Sequence, residues 1–379
     1  MEQEIRKGIF LMEFDNVKLD FSDVLIVPND DKKRNVDSIS SRKDVNLNVK
    51  IFYGVDKKSF VCTPIIAANM DGVGTPAMGK VLGAHNMLTA LKKSVTDAEL
   101  DEIANPDDYF LTIGLTDEDV ERVAKYGNKF SKVCIDTPNG YLFRLKHVIR
   151  LIKKKFKGFL MVGNVITTKT AMSLFSAGAD CVKVGIGPGS VCTTRLKTGI
   201  GYPQLSLILE MQKLKKLIDE NDYYGTKKYI CADGGCTNPG DIAKAFVAGA
   251  DFVMIGGMLA GHDEGGGEIV EKSFISKEIA IDPKGNASQK FDTKKYVKFY
   301  GMSSQKANDT HNGGLQDYRA AEGKEVEILY RGAVNETVKD ILGGIRSTCT
   351  YLDAANITSM KHNGHFIRVN NQHNKIFND

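Results

Sequence analysis

Eight short apolar runs at a nearly even pitch constrain this chain more than anything else in it. They are PIIAAN from Pro64, MLTAL from Met87, YFLTIG from Tyr109, KVCID from Lys132, FLMVG from Phe159, CVKVG from Cys181, YICAD from Tyr229 and DFVMIG from Asp251. The first six start 22 to 27 residues apart. None alternates cleanly with polar residues, so each reads as a strand buried on both faces, as in a parallel sheet. Helical patterns fill the intervals. TDAELDEIA opens with a capping box, Thr96 and Glu99. YLFRLKHVIRLIKKKF places Leu145, Val148, Ile149 and Ile152 on one stripe. Asn238 before Pro239 is a good helix start. An internal repeat ties these pieces together. FSAGADCVKVGIGPGS and FVAGADFVMIGGMLAG share a helix end, a turn, a strand and a glycine loop. Helix-turn-strand repetition with eight strands points to an α/β fold, a (β/α)8 TIM barrel. A doubly wound open sheet is the alternative, and the even spacing favours closure.

Two stretches break the pitch. One is the glycine-rich loop after strand six with the long helix around LILEMQKLKKLID. The other follows strand eight, where a polar segment of about 261–333 precedes a helix near Glu336. An insertion at this end of a barrel is a candidate flap. No linker marks a second domain, so residues 1–379 read as one catalytic barrel domain.

Composition narrows the function. The chain is 42% hydrophobic and 26% charged, which is ordinary for a globular protein. A net charge of +4 is too small to argue for nucleic acid, and the lysines at 153–155 and 213–216 read as solvated helix faces. No apolar stretch reaches the ~20 residues that span a bilayer. The start, MEQEIRKGIFLMEF, lacks a signal-peptide pattern, so a cytoplasmic protein is expected. Seven scattered cysteines are expected to be free thiols. Cys231 and Cys236 have no second pair to complete a zinc site.

In such barrels the active site lies at the C-terminal ends of the strands. Reading those ends gives Asn69 to Asp71, Lys92 and Lys93, Asp136 and Asn139, Gly163 and Asn164, Asp233 to Gly235, and Gly256 with Gly257. Gly-Gly pairs after strands seven and eight would let backbone approach a phosphate, and Asp233 could accept from ribose hydroxyls. The loop after strand six, GIGPGSVCTTR, carries Cys192. A free cysteine is commonly inert and buried. It is a nucleophile where positive charge or backbone dipoles favour the thiolate, and Arg195 with the loop N–H groups is local. Thr194 needs a base partner to move protons, and Glu322 in the flap offers one.

Long segments then resemble the GMP reductase family, which shares its barrel with IMP dehydrogenase. They are KVGIGPGSVCTTRLKTGIGYPQLS, ADGGCTNPGDIAKAFVAGADFVMIGGMLAGH, KFYGMSS, GLQDYRAAEGKEVE, DILGGIRSTCTY and FIRVNNQHNKIF. The resemblance runs from about Leu19 to Phe377. It implies NADPH-dependent reductive deamination of GMP to IMP and ammonia, within purine nucleotide salvage. Cys192 would attack purine C2, and Thr194 with Glu322 would carry protons. Nucleotide contacts would come from Ser190, Asp233, Gly234, Gly235, Gly256, Gly257, Gly301, Met302, Ser303, Arg319, Ala320, Ala321 and Gly323. Cofactor contacts would come from Ser41, Arg42, Lys93, Asp136, Thr137, Pro138, Ile186, Gly187, Met302, Tyr318, Arg319, Ser347, Thr348, Cys349 and Thr350. Gly187, Gly189, Cys192 and Arg195 would hold a monovalent cation, potassium. A homotetramer with shared sites is expected.

The chain also departs from the family. Thr137-Pro138 stands where small apolar residues are usual, Val27 and Asn29 replace basic residues, Leu91-Lys92-Lys93 lacks the usual histidine, and the segment 263–295 is longer. IMP dehydrogenase uses an Arg-Tyr dipeptide in its flap and usually carries a CBS pair after strand two. This chain has neither an Arg-Tyr pair nor room there beyond a short helix.

Overall fold

The computed structural model describes residues 17–29, 39–281 and 287–370, with no side-chain description at 280 and 281. The first sixteen residues, the centre of the long flap segment at 282–286 and the tail from 371 lie outside the described residues. The readings made on them, the missing signal peptide and the end of the FIRVNNQHNKIF motif, lie outside with them.

Each apolar run becomes a strand. In chain order they are Ile65–Ala67, Leu88–Ala90, Tyr109–Ile113, Lys132–Asp136, Phe159–Val165, Cys181–Val184, Tyr229–Asp233 and Phe252–Ile255. They pair in parallel into a closed barrel, the eighth strand bonding both the seventh and the first. Helices between them pack outside, so this is the (β/α)8 barrel expected. The sequence signals act as read: Thr96 and Glu99 close a capping box. The stripe of helix Phe143–Lys155 is buried at Leu145, Val148, Ile149 and Ile152. Gly178 ends helix Thr168–Ala177 with φ 120°, a conformation that costs a glycine little.

One end of the barrel is shut. The hairpin of Val49–Tyr53 and Lys58–Cys62 caps it. Its Tyr53 and Phe60 join Phe110, Phe159, Tyr229 and Phe252 from the strand beginnings, with ring centroids 5.4 to 6.1 Å apart. These tilted and edge-on contacts make an aromatic floor. The open end carries the loops.

The segment after strand eight is more ordered than its polarity suggests. It forms a three-stranded antiparallel sheet from Ile269–Ile281, Ala287–Tyr300 and Glu325–Leu329, with helix Gln305–His311 between the last two. The sheet's buried apolar residues are confined to the base of the central strand, at Val297 and Phe299, and Ser276 is the one buried polar residue of its described side chains. Outer residues such as Ile275 and Phe291 are exposed. A strand with no buried face leaves no apolar run to read, so the sequence showed a polar flap without its strands. No helix among the described residues is long and apolar enough to cross a membrane.

His262 ties the flap's exit to the barrel. It is buried, its Nδ1 3.0 Å from Gly332 O and its Nε2 3.0 Å from Thr337 Oγ1. Burial pushes its pKa below the ordinary 6.5. The fold therefore holds a neutral ring while the unfolded chain takes up a proton, so this stabilising contribution is present above pH 6.5 and is lost as pH falls below it. The Tm deficit of His262→Gln against wild type should narrow as the buffer goes from about pH 7.5 to about 5.5. A deficit that stays constant would show that His262 does not titrate against the fold.

Candidate active site

The loop after strand six begins at Gly185, with φ 136°, and passes Gly187, with φ 86°. It then makes a tight turn in which the Cys192 N–H donates to Gly189 O at 3.1 Å. A short helix, Thr194–Thr198, follows. The turn presents Cys192 half-buried at the open end of the barrel. The other six cysteines are inert by comparison: burial pushes the thiols of Cys62, Cys134 and Cys349 up to about 12. It pushes those of Cys181, Cys231 and Cys236 well above the ordinary thiol value.

The flap comes back onto this loop. The Thr193 N–H donates to Glu322 O at 2.9 Å, and the Lys324 N–H to Val191 O at 2.9 Å. Glu322 N–H in turn donates to Ser303 O at 3.0 Å. These bonds bring side chains together from segments 128 residues apart: the Thr194 hydroxyl donates to Glu322 Oε2 at 2.7 Å and lies 3.3 Å from Cys192 Sγ. A hydroxyl thus sits between a thiol and a carboxylate, within proton-transfer reach of both. The close approach needs two glycines. A Cβ at Gly301 would lie 2.9 Å from Val191 O, and one at Gly323 would lie 3.0 Å from Ser304 N.

The remaining residues expected on the nucleotide side lie at the barrel mouth and on the flap. Gly234 and Gly235 turn with φ 83° and 89°, beside Pro188 and Gly189. A Cβ at Gly257 would lie 2.9 Å from Ser190 Oγ, and one at Gly256 would lie 3.0 Å from Met70 Sδ. The missing side chains let the loops after strands seven and eight approach the strand-six loop and Met70 closely. Met302 Sδ lies 3.4 Å from the Asp71 amide N. Asp71 Oδ2 accepts from Tyr300 OH and approaches His311, so strand one braces the loop that carries Met302 and Ser303. Arg319 and Ala320 stand exposed on the flap, with Ala321 half-buried beside Glu322.

The cofactor-side residues divide in two. Lys93 Nζ donates to Asp136 O at 2.7 Å and lies 3.3 Å from Asp136 Oδ2, at the mouth. Ile186 and Gly187 are in the strand-six loop, and Tyr318 is exposed on the flap. Thr137 is buried, its hydroxyl accepting the Asn139 N–H at 3.3 Å. Its side chain therefore serves its own loop, while Pro138 is exposed. Ser41, Arg42 and Ser347 to Thr350 are elsewhere. The 3₁₀ turn Arg42–Asp44 packs on the helix Asn335–Tyr351, which runs back from the mouth to the floor. The Asn46 N–H bonds Ala355 O at 3.0 Å, just before the capping hairpin. Within one chain the closed barrel separates this group from Cys192. Cys349 has no exposure, so of Ser347 to Thr350 on this helix only Ser347, Thr348 and Thr350 have accessible side chains, beside Ser41 and the exposed Arg42.

Arg195 has partners of its own within the protein. Its side chain threads between Gly187 and Gly201, where an added Cβ would lie 2.5 and 2.6 Å from its Cγ. Its guanidinium bonds Tyr202 O and lies 3.5 Å from Asp20 Oδ2, so Asp20 shares its charge. Its backbone carbonyl accepts the Gly199 N–H at 3.1 Å. Among the described residues there is no cluster of three or more His, Cys, Asp or Glu able to hold a metal ion.

Sequence reasoning passed over Lys183. It is buried, and its Nζ lies 2.8 Å from Asp136 Oδ1 and 2.7 Å from Asp233 Oδ2. Asn164 Nδ2 also donates to Asp233 Oδ2, at 2.8 Å. The signal was present, since a lysine in the middle of the apolar run CVKVG is almost never buried without partners.

A barrel whose mouth joins a loop thiol to a flap carboxylate through one hydroxyl defines a class of enzyme-like site. A family model for the IMP dehydrogenase / GMP reductase domain matches residues 111–375. The chain belongs to the IMP dehydrogenase/GMP reductase family. It is 43% identical over 373 residues to GMP reductase 2 of Homo sapiens, covering 96% of this chain and 98% of that one. It is 42% identical over 371 residues to GMP reductase of Vibrio campbellii, covering 95% and 97%. It is also 42% identical over 371 residues to GMP reductase 1 of Homo sapiens, covering 96% and 98%.

Gly323→Ala should loosen the flap from the loop, because overpacking against backbone costs about 1–3 kcal/mol. The expected result is faster alkylation of Cys192, by roughly tenfold, read by mass spectrometry of the peptide. An unchanged labelling rate would mean that the flap does not gate the thiol.

Proposed function

We propose that this chain is a GMP reductase, converting GMP to IMP and ammonia at the expense of NADPH, in purine nucleotide salvage. The observation that carries the reading is the Cys192–Thr194–Glu322 chain, with its 3.3 Å and 2.7 Å contacts. The Cys192 thiolate adds to purine C2 of GMP. The C2–N bond then breaks, and the amine leaves as ammonia with a proton passed through Thr194 from Glu322. This leaves a thioimidate between Cys192 and the purine. Splitting the substitution into two steps is the gain from covalent catalysis. Bound NADPH would supply the hydride that replaces the lost amine at C2, and Cys192 would leave as the thiolate when the C2–S bond breaks. Asp233 and the Gly-Gly turns support the reading on the nucleotide side, through ribose hydroxyls and phosphate.

For the nicotinamide cofactor, the Lys93–Asp136 pair at the mouth offers a charged and hydrogen-bonding edge. Basic Arg42 would favour a 2′-phosphate. Because Ser41, Arg42 and Ser347 to Thr350 lie on the floor side, a cofactor touching both groups needs a second copy of the chain, and we expect a tetramer. Potassium fits the donor type of the strand-six loop, where the carbonyls of Gly187, Gly189, Cys192 and Arg195 are hard oxygen ligands. The Gly189 and Arg195 carbonyls each accept one N–H and keep a second lone pair. Free thiols throughout fit a reducing, cytoplasmic compartment.

The alternative within the family is oxidation of IMP. The absence of an Arg-Tyr dipeptide and the presence of Glu322 on Thr194 favour reductive deamination. The deciding assay mixes GMP with NADPH and follows nicotinamide absorbance and ammonia. IMP-dependent reduction of the oxidised cofactor, without GMP turnover, would reverse the assignment.

Cys192→Ala should abolish turnover and still bind GMP in calorimetry. Glu322→Gln and Thr194→Val should each lower kcat roughly 100- to 10,000-fold, with the KM for GMP little changed. A variant at Cys192 that retains substantial turnover would rule out the covalent route.

A further inference from the structure

Among the described residues, Lys183 is the buried cation that reaches carboxylates on both sides of the mouth. It is the third residue of strand six, and its side chain is 2% exposed. Strand five lies between it and strand four, yet its ammonium reaches Asp136. Gly163 makes that reach possible. It sits beside Lys183 on one side and Asp136 on the other, and a Cβ there would lie 2.6 Å from Lys183 Cβ. On the far side, Lys183 reaches Asp233 at the end of strand seven, two positions beyond its own pairing partner Cys231.

The two carboxylates face different ligands under the function proposed above. Asp233 lies beside the Gly234–Gly235 turn on the nucleotide side. Its Oδ2 is committed to Lys183 and Asn164, while its Oδ1 has no hydrogen bond to a described residue. Asp136 is paired on its other oxygen with Lys93, on the cofactor side. Removing one partner from such a buried charged group costs more than the bond itself, since the remaining charge is left without compensation. Two carboxylates held by a single ammonium cannot be repositioned separately.

We infer that Lys183 is the positioning residue that holds Asp233 and Asp136 as one unit, so that the nucleotide-side and cofactor-side carboxylates are oriented together. The inference rests on the GMP reductase reading for the identity of the two ligands. The charges around the unit are consistent with it. Burial works against charge on Lys183, but Asp136 and Asp233 hold its pKa well above the ordinary lysine value. Burial likewise opposes ionisation of Asp136, and Lys183 with Lys93 outweighs it, holding that carboxyl below its usual range. The neighbouring thiols of Cys134 and Cys231 stay neutral, pushed up by burial.

Calorimetric binding of GMP to the full-length protein without cofactor tests this. Asp136→Asn weakens GMP binding by about tenfold, although Asp136 lies on the cofactor side, because the shared ammonium is redistributed. Lys183→Met raises the KM for GMP and for NADPH together. Adding Asp233→Asn to Lys183→Met produces no further loss of GMP affinity, because both changes break one interaction. Unchanged GMP affinity in Asp136→Asn overturns the inference, and so does simple additivity of Lys183→Met with Asp233→Asn. If Lys183→Met does not fold, Asp136→Asn retains the lysine and still decides the matter. Failure of the wild type to bind or turn over GMP instead counts against the function, because that result does not involve Lys183.

Discussion

Closure of eight parallel strands on themselves is the constraint from which the rest of this molecule follows. Once the barrel is closed, both faces of each strand are buried, one against the outer helices and one against the barrel interior. A charged side chain is then tolerated only where a strand ends or where its charge is fully paired. The aromatic floor shuts one end, so chemistry is left to the other. Lys183 is the exception inside the wall. It is admitted because two carboxylates stand within 2.8 Å of its ammonium and because Gly163 leaves the space for it to pass.

The barrel was legible because it is written in local terms. A doubly buried strand needs an unbroken apolar run, a helix needs a cap and a stripe, and Gly178 needs a left-handed turn. Each of these has a signature a few residues long. The flap sheet was not legible for the same reason in reverse. Its strands Ile269–Ile281 and Ala287–Tyr300 pair with each other away from the barrel, and the central one buries little beyond Val297 and Phe299. Pairing without burial fixes no hydrophobic period. Cys192 could be nominated from its glycine loop, but its relation to Glu322 is a tertiary fact. It depends on hydrogen bonds between Val191, Thr193, Glu322 and Lys324 that no local pattern encodes. Lys183 escaped notice because its two partners belong to other strands.

The site therefore draws on two kinds of rigidity. The barrel supplies fixed strand ends, on which Lys183 joins Asp136 to Asp233 and Asn164 bonds Asp233 in turn. The flap supplies Glu322 on a segment that is itself an extra pairing partner of the strand-six loop. Gly301 and Gly323 are the contact points, and their missing side chains set how closely the two can approach. Cys192 and Glu322 thus sit on opposite sides of a backbone seam.

That seam has a consequence for the length of the flap. The exposed hairpin hangs outward from the base at Val297 and Phe299, whereas Glu322 is tied to the barrel directly. Lengthening or shortening the outer hairpin changes neither the seam nor the register at its base. The 263–295 segment can therefore change in length without disturbing the Thr194–Glu322 contact.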